Sequence, residues 1–286
     1  MRCDARKEKM RLPMPRSERG VALLIVLLVT ALLIALIFEF SYATRISLNS
    51  AISFRDSQRA YFLARSGIFA FIKYGKPLRD TIRQGEWGVV PMISDVDTEV
   101  RIKWEDESGK IKINDIRNDT VTLMVVKALF ENVKGIDTTV IDRIYDPQSN
   151  IGSLALLSGL HQYMSDEDFN KVYESLTVAL VSQNKVTINI NTASADVLRS
   201  LQINDLDAKR IIDERQNTPY VPTDLTTTGR LSNIISTQIR GANLSTYLTT
   251  ESIGYYKIFV YAQVGGYEKQ IEAIVNGNTF SYWRSL

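Results

Sequence analysis

Cysteine is all but missing from this chain: Cys3 is the only one in 286 residues. Disulfides, thiolate metal sites and a thiol nucleophile are therefore excluded from the body of the protein. Histidine is equally scarce. With His161 alone, a zinc centre or a histidine-based triad has too few ligands or partners to form. Strong net charge is absent too. The formal balance of +2 is carried by the first twenty residues, so the rest offers no broad basic surface for nucleic acid. No segment supplies a recognisable acid and base pair, and the chain is read as non-enzymatic. At 45% apolar composition it can bury a substantial core, in one large domain or two smaller ones.

Charge disappears entirely between Val21 and Phe38. This apolar run of 18 positions exceeds the roughly 7 to 15 residues of a secretory signal core, and no A-x-A-like cleavage site closes it. As a helix it would be about 27 Å long, close to the hydrocarbon thickness of a bilayer. The segment is read as a retained transmembrane helix. Before it, Arg2, Arg6, Lys7, Lys9, Arg11, Arg16 and Arg19 face only Asp4, Glu8 and Glu18, which predicts a cytoplasmic N-terminus and a far-side C-terminal domain.

The junction RSERGVALL, with Gly20 abutting the apolar run, resembles the class III leader of type IV pilins and type II secretion pseudopilins. In that family prepilin peptidase cuts after the glycine and the new amino terminus is methylated. The resemblance implies cleavage between Gly20 and Val21 and methylation of Val21. Ile25, fifth after the cut, stands where most pilins have a glutamate thought to pair with a neighbouring subunit's amino terminus. A carboxylate without that partner is costly in hydrocarbon, so its absence fits a subunit at a filament tip. A plain anchor predicts the same residue.

Helical spacing continues from Glu39 to about Tyr74, with Ile52, Ala60, Leu63, Ala64, Gly67, Ile68 and Phe71 on one face. The small residues in QRAYFLARSGI resemble the pilin pattern in which a sheet approaches the helix closely. GEWGVVPM and DTEVRIKWEDES read as strands, with Trp87 and Trp104 packing on the sheet or in the core. EDESGKIKINDIRND, residues 105 to 119, is read as a solvated turn; it lacks the glycine and glutamate spacing of an EF-hand. Residues 119 to 181 read as helical, the last helix running through SDEDFNKVYESLTVALV from a cap at Ser165.

KVTININTASADVLRSLQINDLDAKRIIDERQ reads as a short strand and two helices joined by a tight turn. It resembles both a DNA-binding helix-hairpin-helix module and the helical insertion of the type II secretion minor pseudopilin K. The connection Gln202, Ile203, Asn204, Asp205 holds no glycine, whereas a phosphate-binding hairpin needs close backbone approach. A helix pair that simply packs is the preferred reading. At the end, SIGYYKIFVYAQV and YEKQIEAIVNG flank Gly265 and Gly266, a two-residue hairpin turn in which both positions suit positive φ. Tyr256, Ile258, Val260 and Ala262 are expected on a buried face, alternating with Lys257, Phe259, Tyr261 and Gln263 on a partly exposed one.

Taken in order, the leader junction, QRAYFLARSGI, DESGKIKIN, VIDRIYDPQS, SLALLSGLHQYMSDEDFNKVYESLTV and KVTININTASADVL resemble the general secretion pathway protein K family. The resemblance implies an α+β fold: a leader (1–20), a transmembrane helix (21–38), a periplasmic helix with the first strands of a pilin-like antiparallel sheet (39–110), a mostly helical insertion (111–250) containing a helix-hairpin-helix-like, SAM-like segment, and closing strands (251–286). It further implies a single-pass inner-membrane protein of the pseudopilus tip complex. Its partners would be other minor pseudopilins, the major pseudopilin, prepilin peptidase and the inner-membrane assembly platform, with no nucleic acid. VIDRIYDPQS lacks the tryptophan and acidic cluster that often follow it in the family. Some members bind calcium, but the reduced cluster leaves ligands unassigned. Two alternatives are a type IV pilus minor pilin and a membrane-tethered DNA receptor.

Overall fold

The computed structural model describes residues 16–286 except 118, 146–153, 155, 179–186, 236–237, 240–241, 244–246, 278 and 286. Residues 1–15, which hold most of the basic leader, and the end of VIDRIYDPQS lie outside the described residues. The chain divides into two units, residues 1–58 and 59–286. The first is α-helical throughout its described residues; they belong to helix α1, which spans Arg16–Thr81. Its last turns bend at Tyr74, whose φ of −117° is not helical. The cause is Pro77, which has no amide proton and crowds the carbonyl four residues back.

In the second unit α1 packs on a five-stranded antiparallel sheet. Its strands are β1 (Gly88–Val89), β2 (Thr98–Asp106), β9 (Tyr255–Val264), β10 (Tyr267–Asn276) and β11 (Thr279–Ser285), in that spatial order. Residues between β2 and β9 carry β3 (Ile111–Lys112), α2 (Thr120–Ala128), α3 (Thr139–Tyr145), α4 (Asp166–Val172), β4 (Leu176–Thr177), β5 (Ile188–Asn189), α5 (Ala195–Ser200), α6 (Asp205–Asn217), β6 (Gln238–Ile239), β7 (Ala242–Asn243) and β8 (Leu248–Thr249). Short parallel pairs join β3 to β4 and β5 to β8.

Period-two alternation sets the helix-facing side of the sheet. Val100, Ile102 and Trp104 stand opposite Ala262, Val260 and Ile258, and all six are buried with Ala64, Ile68 and Phe71 of α1. Gly67 is what brings helix and sheet together: a Cβ there would lie 2.5 Å from Val260 Cγ1 and 3.3 Å from Val100 Cγ1. Trp104 closes one end, its indole N–H donating to Ile82 O at 2.8 Å. A separate cluster, from Ile111 to Leu248, forms the core of the region between β2 and β9.

Several elements differ from the sequence reading. The expected helix through residue 181 stops at Val172, and Leu176 and Thr177 form strand instead; β-branched and aromatic residues near the break weaken helix propensity. The expected cap does form, Ser165 Oγ accepting from Asp168 N at 3.1 Å. Preceding it, residues Leu157–Gln162 make a 3₁₀ helix. GEWGVVPM yields only the two-residue β1; Trp87 is exposed but does pack on the sheet, its ring edge-on to Tyr261 of β9 with centroids 6.5 Å apart. Ile52 is exposed and Leu63 half-buried rather than core. Only Gly265 of the hairpin pair has positive φ, 57°, the requirement of a turn with a single left-handed position.

The largest correction concerns residues 105 to 119. This stretch is not a solvated turn: Glu107, Ser108, Lys110 and Lys112 are all buried. Lys110 meets Glu107 and Glu105, whereas Lys112 Nζ is buried without a hydrogen-bond partner among the described residues and burial lowers its pKa.

Candidate functional site

Gly20, Val21 and Ile25 all lie on α1, exposed. Nothing comes within 4 Å of the place a Cβ would take at Gly20. The apolar residues that follow, among them Leu23, Leu24, Leu27, Leu28, Leu32, Leu33 and Phe38, are exposed as well. This part of α1 is long and apolar enough to cross a membrane, with a mean hydropathy of 3.3 over its best window and none of that window buried. Water would not tolerate such a surface, whereas hydrocarbon favours it. The helix also conceals its one hydroxyl within the run: Thr30 Oγ1 donates toward Val26 O and Leu27 O, each at 2.9 Å, the internal satisfaction that a lipid environment demands.

The NINTA stretch does a different job from phosphate binding. Asn189 Nδ2 donates to Asp106 Oδ2 and to Ser108 Oγ, each at 3.3 Å, while its Oδ1 accepts from Asn191 N at 3.0 Å. Asn191 forms a two-way amide pair with the Tyr220 backbone, donating at 2.9 Å and accepting at 2.8 Å. Arg215 donates to Ile190 O and Ala193 O, both at 2.7 Å, and burial pushes its guanidinium down to about 10. Gly109 permits this docking, because a Cβ there would lie 2.6 Å from the backbone carbon of Thr192. The asparagines thus tie the helical region to the end of β2. Asn191→Ala is expected to strand both polar groups of Tyr220, which is buried, at a cost of about 2 kcal/mol. Chemical denaturation of the full chain checks this, and an unchanged midpoint would contradict the role.

Helices α5 and α6 make the expected pair, capped by Ser194 and Asn204. Between them Gln202 adopts φ 66°, the one non-glycine positive φ among the described residues. The geometry of the turn is therefore retained while a side chain occupies the position that glycine normally relieves of strain.

The most densely built polar feature is one the sequence reading passed over. Lys110 Nζ lies 2.6 Å from Glu107 Oε1 and 3.0 Å from Glu105 Oε2. Across the sheet Glu272 accepts from Tyr173 OH at 2.5 Å and from Arg284 at 2.7 Å, and sits 3.3 Å from Lys257 Nζ. The Lys257 ammonium also lies 3.6 Å from the Tyr173 ring centroid, a cation–π contact in a desolvated place. Lys257 and Glu272 were placed by alternation on a partly exposed face and a plain strand, yet both are buried. The residues between β2 and β9 cover that side of the sheet.

Burial raises the cost of charge at every member, and the partners decide the outcome. At Glu272 burial is outweighed by Lys257, Tyr173 and Arg284, so its carboxyl is held below the usual range. Glu107 and Glu105 likewise outweigh burial at Lys110, which is raised. Burial, with Lys110 nearby, pulls Lys257 down to about 8, whereas burial and Glu272 push Tyr173 up. Above about 8 the folded state gives up the Lys257 proton that the unfolded chain keeps to its ordinary 10.5. The unfolded state then binds more protons, so stability rises with pH across that window. Compared with Lys257→Met, the wild type should gain stability between pH 8 and 10; a pH-independent difference would contradict the assignment.

His161 Nδ1 lies 2.8 Å from Asp166 Oδ1, and its ring packs 3.9 Å from that of Phe169. The acidic segment 105–119 fails to converge on a cation. Asp106 is occupied by Ser108, Ser252 and Asn189, and Asp119 caps α2. Among the described residues no three histidine, cysteine, aspartate or glutamate side chains are grouped to hold a metal.

With this geometry in hand, the chain is similar to one in the crystal structure of the GspK-GspI-GspJ complex from the type 2 secretion system of enterotoxigenic Escherichia coli, with a TM-score of 0.56. The fold is pilin-like. The similarity covers 82% of this chain and 98% of that one at 12% identity. No family model and no curated protein matches the sequence.

Proposed function

We propose that the chain is a minor pseudopilin, of the K type, that helps to initiate the pseudopilus of a type II secretion system. The observation that carries this reading is an insertion with its own core, leaving a pilin-like sheet at β2 and returning at β9, in a chain with an exposed apolar α1. The fold likeness to a chain of the GspK-GspI-GspJ complex supports it.

In this role prepilin peptidase cuts between Gly20 and Val21 on the cytoplasmic side, and Val21 becomes the methylated amino terminus. Residues 21–38 hold the protein in the inner membrane with its folded domain in the periplasm. Other minor pseudopilins pack against it to form the tip complex, which the major pseudopilin and the inner-membrane assembly platform extend. The insertion crowns the tip and blocks addition above it by its bulk. The work is positional, with no reaction performed by this chain. A DNA-receptor role draws less support, since Asn189 and Asn191 are already engaged internally.

Mass spectrometry of the membrane-extracted protein from its host should find Val21, bearing a methyl group, as the first residue. Gly20→Leu should leave the leader attached and abolish export of the secreted proteins. An intact Met1 in the wild type would overturn the reading, and loss of pili rather than of export on deletion would move it to pilus assembly.

A further inference from the structure

A cavity of about 440 Å³ lies between the C-terminal strands and the insertion, within the range of small-molecule pockets. Leu157, Phe169, Leu176 and Ile274 supply apolar wall, and Lys257 and Glu272 line the same space. Lys257 is 4% exposed. Among the described residues Glu272 is its one ion-pair partner, at a long 3.3 Å, and that carboxylate is shared with Tyr173 and Arg284. Glu107, the other carboxylate on the lining, is held by Lys110 at 2.6 Å.

A buried ammonium with three donors and only a share of one carboxylate favours a further anionic acceptor. Arg284 also lines the cavity, with its guanidinium 2.7 Å from Glu272, so the charge that Lys257 adds matches a single negative charge better than a phosphate dianion, and the apolar wall selects what the charge is attached to. We propose that this cavity is a binding site for a carboxylate borne on an apolar chain, with its head group at Lys257 and its tail along Leu157, Phe169 and Ile274. That chemistry has two sources, a medium-chain fatty acid or the free C-terminus of an apolar polypeptide. The site does not depend on the secretion role.

The test uses the full chain in lipid nanodiscs with a diazirine-bearing decanoate, the cross-links being mapped by mass spectrometry. Cross-links are expected at the cavity as well as along residues 21–38, where the lipid-borne probe meets α1. Free decanoate should compete at the cavity and decanol should not. Lys257→Met should cut cavity labelling at least tenfold and leave labelling of 21–38 unchanged. Leu157→Trp, which fills the space but keeps the charges, should do the same and decides the matter if Lys257→Met fails to fold. A short leucine-rich peptide that displaces the probe at tenfold lower concentration than decanoate does, and not when amidated, identifies the polypeptide source; otherwise the fatty acid is the ligand. Labelling confined to 21–38, equal competition by decanol, or cavity labelling unchanged in Leu157→Trp would overturn the site.

Discussion

Glu272→Ala should destabilise the folded domain by about 3 to 5 kcal/mol, the usual consequence of removing one partner from a buried ion pair. From β10 the carboxylate joins three side chains on other elements or their flanks: Tyr173 after α4, Lys257 on β9 and Arg284 on β11. Its loss leaves the Lys257 ammonium desolvated against the Tyr173 ring and removes the acceptor of the tyrosine hydroxyl. The decisive comparison is the pair Glu272→Leu and Lys257→Met made together. Apolar replacements of similar volume often restore what a broken pair loses, so the double variant should return to within about 1 kcal/mol of wild type. Denaturant unfolding of the full chain in detergent measures both. A double variant as unstable as Glu272→Ala would mean that the loss comes from packing or from Tyr173 rather than from stranded charge.

Gly67→Leu should cost about 3 kcal/mol, at the upper end for overpacking a filled core. The first added atom already falls 2.5 Å from Val260 Cγ1, far inside van der Waals contact, before the rest of the leucine is placed. Val260 has little freedom to yield. It is β-branched, fully buried, and sits on β9 with Ile102 on one side and Ile271 on the other. The gain in helix propensity from losing a glycine, about 1 kcal/mol, works against this cost but does not cancel it. Gly67→Ala combined with Val260→Ala should recover part of the loss by making room for the new Cβ. Thermal unfolding distinguishes the cases; full stability in Gly67→Leu would show that α1 can move away from the sheet without penalty.

Spacing put Gly67 on the face of Ala60, Ala64, Ile68 and Phe71, but by itself it gives only an amphipathic helix; the close approach of a sheet there was legible through the resemblance to the pilin pattern. The strand alternation of Ile258, Val260 and Ala262 was legible from spacing: one side packs and period two reports it. Lys257 shows where that logic fails. Its charge marks it as the water side, and it would be so in a bare sheet, but the insertion covers that part of the face with chain from far away in sequence. EDESGKIKIN misled in the same manner, since nothing local tells a charged residue that its partner is also buried. The helix expected through 181 failed because an apolar run without clear periodicity serves strand or helix alike. The leader junction is the opposite kind of feature. Gly20 and Val21 are readable as a chemical pattern, while their exposed place on α1 adds little, because their partner in the proposed reaction is another protein.

The entry and exit of the insertion impose an order on the birth of the molecule. Asp106 at the end of β2 receives a hydrogen bond from Ser252, 146 positions later, just before β9 begins. The middle strands of the sheet are therefore not joined until nearly the whole polypeptide has emerged, and contacts of such long range form slowly. During synthesis β2 has β1 for a neighbour on one edge and a bare ladder of amides and carbonyls on the other. The intervening region has its own core, from Ile111 to Leu248, and can bring the two distant ends close together before β9 arrives. A truncation that stops before Tyr255 should thus leave β2 as an adhesive edge, exposed to whatever strand comes first.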